Sequence, residues 1–194
     1  MIKFLKGAMK EHDPCITKWD KPTKRIFNGQ EVQGRPTKGF GTSSFTYAGR
    51  LYNPDPWTTP MKIIKMAAEL IVYKELNQVV KFTFCLCGLY ETGKVAIPHH
   101  SDTVPKQKDL VFSVSFGTPR IFEWNEYTQP IKKKTNTSKI NRPHSDYIQQ
   151  AKKYMVEHGD VFIFDGKSQM TSTHAVPTVF GVGERINLTF RTGL

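Results

Sequence analysis

Two short pairs in this chain could bring a metal ion under protein control: His100-Ser101-Asp102 and His144-Ser145-Asp146. In extended backbone, residues two apart project from the same face, so either pair can offer an imidazole and a carboxylate to one ion. A second histidine from a distant strand would complete a two-histidine, one-carboxylate triad. Such a triad leaves coordination positions open and suits non-haem Fe(II). Context separates the two copies. His100 follows KVAIPH, a strand-like stretch, whereas His144 stands in a Lys- and Pro-rich loop where Asp146 is more useful as a helix cap. The first copy is therefore the expected metal pair. His99 should point away from it. The expected distal ligand is His174, which follows the strand-like DVFIF and a loop. His158 precedes Gly159 at an expected helix end, where a cation is favourable, and reads as structural.

A second chemical pattern closes the chain. In RINLTFR, alternation puts Arg185, Asn187, Thr189 and Arg191 on one face and Ile186, Leu188 and Phe190 on the other. The apolar face belongs in a core. The other face carries two guanidinium groups, an amide and a hydroxyl, a set suited to a dicarboxylate. Cys85 and Cys87 share one strand face but lack partner ligands, and are expected to pack as small apolar residues.

The elements that must position these groups are mostly short strands. KFTFCLCGLY, DLVFSVSFG, RIFEW, DVFIF and RINLTFR alternate, are rich in Phe, Val and Ile, and are punctuated by Gly, Pro and Asp, which points to a sandwich or jelly roll. RIFNGQEV predicts a hairpin turning at Asn28-Gly29, and Phe45 and Tyr47 of FTYAG should share a strand face. A helix is predicted from Pro60 to Leu76, with an apolar stripe of Ile63, Met66, Ala67, Leu70 and Tyr73 packed on a sheet. A second is predicted over SDYIQQAKKYMVEHG, capped by Ser145 or Asp146 and ended by Gly159. IKKKTNTSKINRP between them reads as an exposed basic loop, and no internal repeat is visible.

Composition bounds the rest. The 194 residues carry 28 Lys+Arg against 17 Asp+Glu, a net charge of +11 that favours a polyanionic partner such as nucleic acid. Ten basic and four acidic residues fall in the first fifty. No apolar run approaches bilayer length, and Lys6 breaks the N-terminal apolar stretch, so neither a membrane span nor export is expected. Three cysteines cannot pair completely, which fits a reducing, intracellular compartment, cytoplasmic or nuclear.

His100-x-Asp102, His174 and the Arg-x-Asn-x-Thr-x-Arg strand together resemble the AlkB family of Fe(II)- and 2-oxoglutarate-dependent dioxygenases. The resemblance extends through CGLY, VSFGTPRIF and HGD, over roughly residues 35–194, and looks closest to the branch that removes alkyl groups from nucleic-acid bases. It implies an α+β fold: a double-stranded β-helix (jelly roll) core over residues 61–194, with N-terminal helices. A basic N-terminal extension and nucleotide-recognition lid would occupy residues 1–60, the two parts forming one integrated domain, likewise expected to be a monomer. It implies Fe(II) held by His100, Asp102 and His174, with O2 as oxidant. The distal carboxylate of 2-oxoglutarate would pair with Arg185, helped by Tyr90, with Asn187 and Thr189 in support and Arg191 near Asp102. Phe45 and Tyr47 would line a base pocket, where a flipped base stacks. Arg35, Lys38 and Phe40 would belong to the lid, and Phe27 would be an intercalating finger. The implied reaction is oxidative demethylation of 1-methyladenine- or 3-methylcytosine-type bases in DNA or RNA, releasing formaldehyde, succinate and CO2. Two alternatives stay open: a 2-oxoglutarate oxygenase acting on a protein or free nucleobase, and a catalytically silent nucleic-acid-binding module. Two departures stand out. Gly88 replaces an Asn common two residues before the Tyr, so one cofactor hydrogen bond is missing or supplied elsewhere. Thr103 and Val104 follow Asp102 where repair members tend to carry acids.

Overall fold

The computed structural model describes residues 2–192 except 23, 28–29, 48–49, 102–109, 129–147 and 167, and gives the backbone alone for 24–27, 30–33, 45–47, 50, 52, 148 and 169–170. Its elements are β1 (Ile2–Leu5), β2 (Lys24–Phe27), β3 (Gln30–Gln33), β4 (Thr37–Gly41), β5 (Phe45–Tyr47), β6 (Arg50–Tyr52), α1 (Thr59–Leu76), β7 (Phe84–Tyr90), β8 (Ile97–His100), β9 (Leu110–Gly117), β10 (Arg120–Tyr127), β11 (Ile148–Val156), β12 (Val161–Asp165), α2 (Ser168–Thr171), β13 (Ser172–Val176) and β14 (Arg185–Arg191).

Two antiparallel sheets carry the architecture. The larger runs β1-β12-β9-β14-β7-β4 and the smaller β11-β10-β13-β8. Each inner strand of the larger sheet is two-faced. Cys85, Cys87, Phe112, Val114, Ile163, Leu188 and Phe190 pack beneath α1 as one core. Tyr90, Val111, Phe162 and Phe164 turn the other way and meet Phe122, Trp124, Val156 and Val176 of the smaller sheet as a second core. The Phe122 and Phe162 rings stack at 4.5 Å across this gap. Both cysteines are fully buried, and burial pushes the Cys85 thiol pKa well up, as expected of packing residues rather than ligands.

The first sixty residues supply both edges of the larger sheet, β1 pairing with β12 and β4 with β7. Asp160 ties the N-terminal segment down: its carboxylate accepts from the backbone N–H of Gly7 at 2.6 Å and pairs with Lys6. Among the described residues no helix precedes Thr59, so the expected N-terminal helices are replaced by strands and turns. The predicted hairpin is present as β2 pairing with β3, and Phe45 and Tyr47 lie on a strand paired with β6; Asn28 and Gly29 lie outside the described residues.

Two expectations need correction. Helix α1 forms where predicted, with the Thr58 hydroxyl accepting from the Met61 N–H, but its buried face is Met61, Ile64, Ala68 and Val72. Ile63, Met66, Leu70 and Tyr73 are more than half exposed. The second expected helix is instead strand β11 over Ile148–Val156; its proposed caps, Ser145 and Asp146, lie outside the described residues. Eight residue pairs match β11 to β10, and Val156 reaches the inter-sheet core, so cross-strand pairing overrides local helix preference.

Candidate active site

The gap between the sheets opens into a cavity lined by residues of both. On the smaller sheet, β8 and β13 pair so that His100 and His174 are direct cross-strand partners. Their rings lie 4.3 Å apart between centroids. The Nδ1 of His100 is 2.9 Å from the Pro98 carbonyl, which suits an Nδ1–H donor and helps fix the ring where it lines the cavity. His174 is 8% exposed and held between aromatic rings, nearly parallel to Trp124 (11° at 6.0 Å) and Phe122 (22° at 5.5 Å). Packing therefore fixes its ring orientation. Asp102, the expected carboxylate of the triad, lies outside the described residues, as do His144 and Asp146.

His99 points the other way. Its Nε2 is 3.2 Å from Glu123 Oε2, and its Nδ1 is 3.2 Å from the Thr173 hydroxyl. His158 is structural, though no helix ends there: its Nδ1 accepts from the Gly117 N–H at 3.1 Å and its Nε2–H donates to the Lys10 carbonyl at 3.0 Å.

The larger sheet supplies the opposite wall. Strand β14 lies between β7 and β9, and Arg185, Asn187, Thr189 and Arg191 all line the cavity while Leu188 and Phe190 are buried on the other face. Neighbouring strands hold these groups. Arg185 Nη2 donates to the Ser115 hydroxyl at 2.7 Å, Asn187 Nδ2 donates to the Ser113 hydroxyl at 2.9 Å, and Thr189 donates to the Asn187 side-chain oxygen at 3.2 Å. Arg185 is 3% exposed, and its Nε and Nη1 find no acceptor among the described residues. Burial lowers its pKa; the Arg120 and Arg35 charges act in the same direction and Tyr90 acts against them.

The cavity lining holds three arginines, Arg35, Arg185 and Arg191, and no carboxylate among the described residues. A cationic cavity with orphaned guanidinium nitrogens fits a carboxylate-bearing ligand, since leaving them dry and unpaired costs about 1–3 kcal/mol or more. The two imidazoles on the facing wall fit a divalent transition metal.

Of the residues expected to form a lid, the structure brings only Arg35 to this cavity. Phe40 is 5% exposed in the core beneath α1, and Lys38 is held by Asp55 at 2.6 Å and Asp20 at 3.7 Å. Alternation explains this: Lys38 and Phe40 face opposite Cys87 and Cys85, on the α1 side of β7. Phe27, Phe45 and Tyr47 are described as backbone only.

Several participants were not among the expected residues. Ser113 and Ser115 hold the β14 side chains, and their signal was present in the alternation of DLVFSVSFG. Phe122 and Trp124 clamp His174. Arg120, 1% exposed, donates to the carbonyls of Thr92, Gly93, Val95 and Pro177 and so fixes the segments leading into β8 and out of β13.

Comparison with known proteins agrees with this geometry. Residues 8–191 match the family described as the 2OG-Fe(II) oxygenase superfamily. The chain belongs to it. This oxygenase domain is also similar to alpha-ketoglutarate-dependent dioxygenase alkB homolog 3 of Bos taurus, 31% identical over 163 residues, covering 82% of this chain and 52% of that protein. The Homo sapiens protein of the same name is 30% identical over 164 residues, with the same coverage of 82% and 52%. The oxygenase chain thus spans about half the length of these curated relatives. In fold it is similar to the solved structure of OsALKBH1, with a TM-score of 0.65 at 17% identity, over 98% of this chain and 96% of that one. Family membership makes this chain an oxygenase domain of the kind that uses Fe(II), 2-oxoglutarate and O2.

Proposed function

We propose that this oxygenase removes methyl groups oxidatively from N-alkylated bases in DNA or RNA, of the 1-methyladenine or 3-methylcytosine type. The observation that carries the site assignment is the His100–His174 pair facing a wall of Arg185, Asn187, Thr189 and Arg191 across one cavity. In this reading His100, His174 and Asp102 hold Fe(II). Arg185 and Tyr90 take the distal carboxylate of 2-oxoglutarate, with Asn187 and Thr189 holding the network around it and Arg191 beside the metal. When bound, the metal and 2-oxoglutarate supply oxidation of an N-methyl C–H bond by O2, with succinate and CO2 as coproducts; the hydroxymethylated base then loses formaldehyde. The chain's part is positional. Strand pairing fixes both imidazoles, the β14 network holds the carboxylate, and the aromatic residues around His174 keep water from the reacting face.

The substrate class rests on the similarity to proteins named alkB homolog 3 and on a net charge of +11. A methyl on the Watson–Crick edge weakens pairing and makes a base easier to extrude. Phe45 and Tyr47 are assigned to the base pocket and Phe27 to the gap left in the strand, with residues 1–60 as the extension carrying this recognition surface on the jelly-roll core. The unpaired cysteines fit an intracellular setting, cytoplasmic or nuclear, and a monomer is sufficient for the site. No described helix is long and apolar enough to cross a membrane.

The test is a panel of 1-methyladenine and 3-methylcytosine oligonucleotides, as single-stranded DNA, duplex DNA and RNA, assayed by mass spectrometry for methyl loss. Turnover of at least one, abolished by His100→Ala, is expected. Binding should weaken steeply with salt, because phosphate contacts release counterions. Salt-independent binding with no methyl loss from any strand would overturn the substrate class and favour a protein or free nucleobase.

A further inference from the structure

Arg35 stands two residues before Thr37, the residue that pairs with Gly88 across β4 and β7. The Leu89 N–H donates to the Pro36 carbonyl at 3.0 Å, which fixes the backbone beside it. From there the side chain lies directly over Gly88: a Cβ built on that glycine would meet Arg35 Nε at 2.1 Å and its Cδ and Cζ at 3.0 Å. Gly88 belongs to the cavity-facing set of β7, between Leu86 and Tyr90, both of which line the cavity. The absent side chain is thus the space that the guanidinium fills. Its Nε is buried with no acceptor among the described residues. Its Cζ lies 5.2 Å from the centre of the Tyr90 ring, which Arg185 also approaches, at 4.7 Å.

We propose that Arg35 is a second carboxylate-binding residue of the 2-oxoglutarate site, entering the cavity over Gly88 and sharing the Tyr90 ring with Arg185. The inference rests on assigning this cavity to 2-oxoglutarate. Two guanidinium groups against one ring repel each other at low dielectric, and an anion between them removes that repulsion. The Tyr90 face offsets part of it meanwhile. A β7 position able to carry an amide donor of its own has instead been left bare, and the donor arrives from the segment that leads into β4. Arg35 is then a cofactor ligand and not a residue that grips the nucleic-acid strand.

The experiment is calorimetric titration of 2-oxoglutarate into the Mn(II)-loaded protein without O2, alongside fluorescence anisotropy with a labelled methylated oligonucleotide. Arg35→Ala should raise the 2-oxoglutarate Kd roughly ten- to a hundred-fold, the range of one charge-assisted hydrogen bond, and leave oligonucleotide affinity within about twofold. Arg35→Lys, which keeps the charge and most of the packing, should lose less. Adding Gly88→Asn to Arg35→Ala should recover part of the affinity, while Gly88→Asn alone should weaken binding by displacing Arg35. A 2-oxoglutarate Kd unchanged in both Arg35 variants, with Arg185→Ala still abolishing binding, overturns the proposal and spares the cavity assignment. Loss of oligonucleotide affinity alone in those variants also overturns it and returns Arg35 to the substrate. Wild-type protein that binds no 2-oxoglutarate overturns the assignment beneath.

Discussion

Arg120 shows how a single side chain can hold a site without entering it. Its guanidinium sits 1% exposed with Tyr90 5.5 Å away and spends its donors on four backbone carbonyls, from Thr92 to Pro177. Burial lowers its pKa, with Tyr90 opposing, and the four carbonyls stand in for the water the guanidinium has lost. Thr92 and Gly93 also accept backbone N–H groups, so Arg120→Met should cost about 2 kcal/mol or more in urea denaturation, mainly through the Val95 and Pro177 carbonyls losing this donor at about 1–3 kcal/mol each. A loss under about 1 kcal/mol would contradict this role. At this scale the sequence was informative wherever alternation alone decides facing. His100, His174 and the four polar residues of RINLTFR all reach the cavity their spacing implied. Arg35 and Arg120 were opaque because their positions depend on register between strands far apart in the chain. Lys38 and Phe40, chosen together with Arg35, fall on the opposite face of the sheet for that same reason.

Among the elements, α1 and β11 mark where local pattern runs out. Helix α1 is apolar around most of its circumference, so periodicity offers more than one candidate stripe. The larger sheet selects the Met61–Ile64–Ala68–Val72 face, which has the small Ala68 at its centre. Ile64→Ala should cost about 2–5 kcal/mol, whereas Met66→Ala should stay within about 0.5 kcal/mol. Equal losses, measured by chemical denaturation, would mean that both faces are covered. For β11, the run IQQAKKYMV has good helix formers, but β10 offers it eight paired positions, with one register shift near Tyr127. Strand existence was legible for β7, β9, β10, β12 and β14 from their short runs rich in Phe, Val and Ile, whereas the inner strands of the larger sheet are covered on both faces and pattern alone does not rank them. The sheet order that puts β14 between β7 and β9 is a non-local property and was not legible.

At the scale of the whole molecule, two facing sheets divide the labour, one presenting imidazoles and the other cations, with aromatic residues between. The +11 charge is distributed accordingly. Part of it lines the cavity as arginine. Part of the N-terminal excess is committed within the protein: Lys3 to Glu75, Lys6 to Glu157 and Asp160, and Lys38 to Asp20 and Asp55. The basic excess of the first fifty residues is therefore a smaller uncommitted charge than its count implies. The most direct test of the central claim is stoichiometry: succinate and formaldehyde measured together from one methylated oligonucleotide, with wild-type protein and with His174→Ala. We predict equal amounts of the two products from the wild type and neither from the variant. Succinate without formaldehyde on every methylated strand, or an undiminished yield from His174→Ala, would contradict it.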